Sequence, residues 1–161
     1  MTTQFEDALA RAQKGLIELC LEYAEADVSD IYAYCVMENQ IFSFDVFYGI
    51  LGNLYHKHEL NRSRPAWQPC VYDTSPDRQC AMLETGIAEI KLMATMFSKY
   101  GNACPTEIRM HYRAADGRLS SDFQYSPMFT DHPTLTSEDI FDGWFDQVKF
   151  QASATATPSE Y

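Results

Sequence analysis

Phe5, Ala8, Leu9, Ala12, Leu16, Cys20 and Tyr23 recur at helical spacing, so residues 3–25 are predicted to form an amphipathic helix. Glu6 and Asp7 fall in its first turns, where the helix dipole favours carboxylates. The apolar period then drops to two. Residues 31–37, IYAYCVM, read as a strand and Glu38-Asn39-Gln40 as a turn. Residues 41–48, IFSFDVFY, read as an antiparallel partner with Phe42, Phe44, Val46 and Tyr48 on one face. Gly49 and Gly52 punctuate Ile50, Leu51, Leu54 and Tyr55, which suit a third strand with a bulge or bend. Residues 57–75 carry no period, and this long connection is either mobile or packed down by Trp67 and Tyr72.

Regularity returns at Ser75-Pro76, an N-cap followed by proline at the first helical position. Cys80, Leu83, Ile87, Ile90, Ala94 and Phe97 make the stripe of this second helix, and Gly101 stands where a C-cap glycine belongs. Past Pro105, Ile108, Met110 and Tyr112 alternate with Glu107, Arg109 and His111. Asp116-Gly117 turns the chain, and Leu119, Phe123 and Tyr125 alternate with Ser120, Asp122 and Gln124 on the return. This hairpin is expected to present an open polar face. Thr136 with Asp139 resembles a capping box ahead of a short helix through Ile140, Phe141, Trp144, Phe145 and Val148. Residues 151–161 lack an apolar period and read as a flexible tail. The fold class is therefore α+β: a mostly antiparallel sheet packed against two main helices, with a short C-terminal helix. Residues 1–150 form one domain.

Composition agrees with a folded domain. In 161 residues, 46% are hydrophobic, including ten Tyr and ten Phe, which excludes a wholly disordered chain. The net charge is −11, from 23 acidic and 12 basic groups. Acidity is concentrated at the two ends of the chain. An acidic surface of this kind suits a basic partner and disfavours direct contact with nucleic acid, which needs clustered Lys and Arg. The opening MTTQFEDALA is polar and acidic rather than an export segment, no apolar run is long enough to span a bilayer, and five cysteines without paired spacing read as reduced thiols. These features point to a cytoplasmic protein.

Candidate chemistry is thin. His56 and His58 share a strand face near Glu59, but two further metal ligands are missing from the local sequence. No Gly-x-Ser-x-Gly or phosphate-loop pattern is present. Asp116 is explained by its turn, and Asp45 and Asp122 by polar strand positions. The sequence therefore calls for no cofactor and no catalytic set. What remains is a surface. Trp67, in a loop between Pro65 and Pro69, is the tryptophan free to anchor a partner, whereas Trp144 lies at helical spacing with Phe141 and Val148. Acidic groups at Asp122, Asp131, Glu138, Asp139, Asp142 and Asp146 surround the final hairpin and helix.

The order of elements, with Gly101, Pro105, Thr106, Asp116-Gly117, Asp122, Tyr125 and Trp144 at their places, resembles the YezG-like (DUF600) immunity-protein family. The resemblance is closest from Phe97 to Trp144, and Tyr32 and Tyr34 match aromatic positions of an early strand. Cys104 departs from the family pattern, as does the long 57–75 segment. The resemblance implies a cytoplasmic antitoxin that neutralises a secreted polymorphic toxin, commonly a nuclease, by stoichiometric occlusion. Glu107, Arg109, Asp122, Asp139, Asp142, Asp146 and Trp67 are then the expected contacts with a basic toxin domain. Two other readings stay open: a small-ligand or metal-dependent enzyme with a cleft near His56 and His58, and a homodimer sealed through a sheet edge or a helix.

Overall fold

Two pairs of left-handed residues set the register of the sheet. In the computed structural model, which describes residues 3–25, 28–65, 67–68 and 72–156, Asn39 and Gln40 take φ of 50° and 61°, and Leu51 and Gly52 take 50° and 83°. Both are two-residue corners whose twist matches that of the flanking strands. The first joins β1 (Asp30–Glu38) to β2 (Ile41–Ile50) with Glu38 opposite Ile41. The second joins β2 to β3 (Asn53–His56) with Ile50 opposite Asn53. The predicted bulge is thus a full reversal: Gly49 continues β2, and the bend lies at Leu51-Gly52.

From β3 the chain passes through a 3-10 turn at Lys57–Ser63. Leu60 is buried there, and the Asn61 carboxamide holds the backbone of Tyr72, accepting from its N–H at 2.9 Å and donating to its carbonyl at 3.0 Å. Leu60, Asn61 and Tyr72 therefore pin the described parts of the 57–75 connection. Trp67 takes no part in this, being 83% exposed. Cys70 lies outside the described residues.

Helix α2 (Pro76–Lys99) starts as expected, with the Ser75 hydroxyl accepting from the Arg78 N–H. It ends in a Schellman motif: Gly101 at φ 71° donates to the Ser98 carbonyl, and Asn102 donates to that of Phe97. Its buried line is Met82, Gly86, Ile90, Met93 and Phe97, rotated from the predicted stripe, with Cys80 exposed. The rotation has a cause. Gly86 lies against the Phe44 ring so closely that a Cβ there would stand 2.3 Å from it, and only glycine lets helix and sheet approach that far. Gly86→Ala is expected to destabilise the fold by about 1–3 kcal/mol through overpacking, although alanine is the better helix former by about 1 kcal/mol. Gly15→Ala in α1 (Gln4–Tyr23), where a Cβ would meet nothing within 4 Å, is expected to do the reverse. Urea unfolding of the pair checks both signs.

Strands β4 (Glu107–Arg113) and β5 (Arg118–Gln124) complete an antiparallel sheet of order β3-β2-β1-β4-β5. The hairpin loop turns at Gly117, φ 67°, with Asp116 accepting from the Arg118 N–H. Helices α1 and α2 cover one face, packing on Ile31, Ala33, Cys35, Phe44, Val46, Tyr48, Ile108 and Met110. Helix α3 (Ser137–Ala156) covers the other. Its start is the expected capping box: Asp139 accepts from the Thr136 N–H at 2.9 Å, and the Thr136 hydroxyl accepts from that of Asp139 at 3.2 Å. The helix runs on through 151–156, part of the stretch expected as a tail, while 157–161 lie outside the described residues. Among the described residues no helix is long and apolar enough to cross a membrane.

Candidate functional site

The hairpin face expected to be open lies partly under α3. Phe141 and Phe145 are buried against Tyr34, Val36 and Phe47, with Ile140, Trp144 and Val148 packed beside them. Phe47 is boxed by rings, with Phe141 at 5.7 Å, Trp144 at 5.1 Å and Phe145 at 5.1 Å, all edge-on. Tyr32, Tyr34 and Val36 of β1 and Phe47 of β2 give this second face of the sheet an apolar surface that demands a cover.

Glu107 is accordingly not a surface residue. Its side chain is 1% exposed; one oxygen accepts from the Tyr34 hydroxyl at 2.5 Å and the other from Arg109 Nε at 2.9 Å. The interior placement overturns its expected position on an open face, because α3 excludes water there. Arg109 is half-buried, its guanidinium 5.6 Å from the Trp144 ring centre and 5.9 Å from that of Tyr34, a cation–π arrangement. Burial, followed by the hydrogen bond to Glu107, pushes the Tyr34 phenol far above its ordinary range. Tyr34 therefore acts as a neutral donor.

Beside this cluster a cleft of about 470 Å³ opens between α3 and the hairpin, lined by Tyr32, Arg109, His111, Ser120, Ser121, Asp122, Trp144, Gln147, Val148 and Gln151. Tyr32 is sandwiched between Phe47 at 4.6 Å and His111 at 4.3 Å, and its phenol is pushed up to about 12, chiefly by burial and further by Asp30. His111 Nε2 lies 2.7 Å from Asp30 Oδ1, and Ser29 donates to the other oxygen of that carboxylate. Asp122 is exposed at the rim, opposite Arg109 in the β4–β5 register. No pattern in the sequence pairs Asp30 with His111, which stand 81 residues apart.

The outer side of α3 is different in character. Glu138, Asp139, Asp142 and Asp146 are all exposed, and among the described residues none of the four is in an ion pair. Asp139 is partly occupied as the capping residue. Helical spacing lines these carboxylates along one stripe facing away from Phe141, Phe145 and Val148. The structure thus brings Asp139, Asp142 and Asp146 together, sets Asp122 and Arg109 at the neighbouring cleft, and leaves Trp67 on a separate loop.

No protein-family model matches this chain, and no curated protein matches it. The resemblance over Phe97–Trp144 rests on its motifs, most of which have structural work in this fold. Gly101 caps α2, the Thr106 hydroxyl donates to the carbonyls of Gln124 and Ser126, Asp116 braces the hairpin loop, and Trp144 packs on the sheet. Asp116, Asp122 and Tyr125 all stand exposed, and of these Asp122 and Tyr125 lie outside the hairpin loop.

His56 ends β3, at the opposite edge of the sheet from the cleft, whereas His58 lies in the 3-10 turn and not on a shared strand face, because the strand stops at His56. Their rings stack 5.6 Å apart, and His56 also stacks on Phe145 at 4.0 Å. Burial lowers the His56 pKa despite nearby Glu59. Glu59 meanwhile accepts from the His56 backbone N–H and pairs with Arg62 at 2.5 Å. His56 thus serves the packing under α3 while His58 stays exposed beside it, and among the described residues no group of three or more His, Cys, Asp or Glu is placed to hold a metal ion.

Proposed function

We propose that this protein is an immunity protein, a cytoplasmic antitoxin without enzymatic activity that binds a basic toxin domain, of the nuclease class, and blocks it stoichiometrically. The observation that carries the reading is the exposed acidic stripe of α3, free of ion pairs among the described residues and mounted on a rigid aromatic platform. A nuclease must approach a polyanion and so tends to be basic; a preformed row of carboxylates meets the same surface. The motif resemblance over Phe97–Trp144 supports the same assignment. Asp122 and Arg109 at the cleft rim extend the contact area, and Trp67 is a second anchor on its own loop.

The direct test is co-expression with the C-terminal module of a toxin encoded beside this gene. Rescue of growth and recovery of a one-to-one complex are expected; growth arrest despite folded protein rejects the assignment. Within that complex, Asp142→Lys with Asp146→Lys is expected to slow association about tenfold or more at low salt, with little change in melting temperature because both residues are exposed. Equal on-rates for the variant and the parent would remove α3 from the interface.

A further inference from the structure

We propose that two copies of this chain associate through β5, running antiparallel about Ser121, so that their sheets become one. An edge strand has hydrogen-bonding groups left over on its outer side. The two edges here are unequal: β3 has four residues and runs straight into the 3-10 turn, whereas β5 has seven and contains no proline, lysine or glycine.

The sequence of β5 selects its own copy as the occupant. Read against itself about Ser121, RLSSDFQ places Arg118 opposite Gln124, Leu119 opposite Phe123, and Ser120 opposite Asp122, each twice by symmetry. Leu119 and Phe123 are half-buried and already pack on the main core, so each gains an apolar neighbour. The Ser120 hydroxyl can donate to the Asp122 carboxylate of the other copy. No like charges meet. A register centred on Asp122 sets that carboxylate against itself, and one centred on Ser120 pairs only five residues and loses the Leu119–Phe123 contacts. A twofold contact of this type closes on itself and stops at the dimer.

The net charge of −11 on each chain opposes the approach, so added salt strengthens this dimer by screening, the reverse of its effect on a complex with a basic protein.

Sedimentation equilibrium of the full chain from about 5 to 200 μM tests the proposal. Ser120→Asp sets like charges opposite each other twice and is expected to raise the dimer Kd about tenfold. Adding Asp122→Lys to that variant makes both pairs opposite in charge and is expected to restore or tighten the dimer. Both positions are exposed, and circular dichroism confirms that the variants fold. Three results would each overturn the proposal: a parent protein monomeric throughout, a dimer indifferent to Ser120→Asp, or a double variant no tighter than the single one. None of them depends on whether a toxin partner exists.

Discussion

Glu107→Lys is expected to lower folding stability by about 3–5 kcal/mol, a large part of the roughly 5–15 kcal/mol that holds a domain together. The substitution removes the acceptor for both the Tyr34 hydroxyl and Arg109 Nε, and it adds a cation to a site 1% exposed beside an existing guanidinium. The cost comes from stranding the remaining charge and donor away from water, more than from losing the pair's own attraction. Glu107→Gln keeps a carbonyl acceptor and is expected to cost about 1–3 kcal/mol. Urea unfolding ranks the two. Parental stability in the lysine variant would mean that α3 does not seal this region in solution. The ranking also bears on binding assays, since a charge reversal at Glu107 would weaken any partner complex by unfolding the protein.

The second large effect belongs to Glu38, 2% exposed at the end of β1. Its carboxylate accepts from the backbone N–H groups of Met128, Phe129 at 3.2 Å and Thr130 at 2.7 Å. These bonds fasten the segment that delivers α3 to the sheet. Desolvation by itself would raise the Glu38 pKa, but the Thr130 side chain and the three N–H groups outweigh it and hold the pKa below its ordinary 4.5. A carboxyl with a lowered folded pKa binds fewer protons folded than unfolded. Its contribution is therefore complete above about 4.5 and is lost as pH falls through the folded value. Glu38→Ala is expected to cost about 3 kcal/mol near pH 7, and the gap between variant and parent should narrow below pH 4.5. A gap that stays constant down to pH 3 would show that the carboxylate charge is not what holds the loop.

Glu38 and Glu107 also mark where sequence reading stops. The corner at Asn39-Gln40, the Ser75-Pro76 start, the Gly101 stop and the Thr136–Asp139 box were all legible, because each depends on residues within about four positions of one another. Glu107's hydroxyl partner Tyr34 lies 73 residues away and Glu38's partners about 90, and alternation alone gives a glutamate between Thr106 and Ile108 to solvent. A hint did exist in β1, where IYAYCVM is apolar on both faces, and in Phe47, an aromatic on the polar side of β2. Together they mark a sheet covered twice. The position of α3 follows from that double cover, and with it the split between buried and exposed members of the expected contact set. Gly86 was missed for a different reason: as a glycine it carries no weight in a hydrophobic stripe, although its lack of a side chain sets the seat of α2 on Phe44.

Helix α3 has a consequence for how this protein can change over generations. Phe141, Phe145 and Val148 secure it from below, while Glu138, Asp142 and Asp146 stand exposed outside that apolar cluster. Exchanges along this exposed row leave the seating intact, so the charge and shape of that row can be revised over a lineage one residue at a time without first accumulating spare stability.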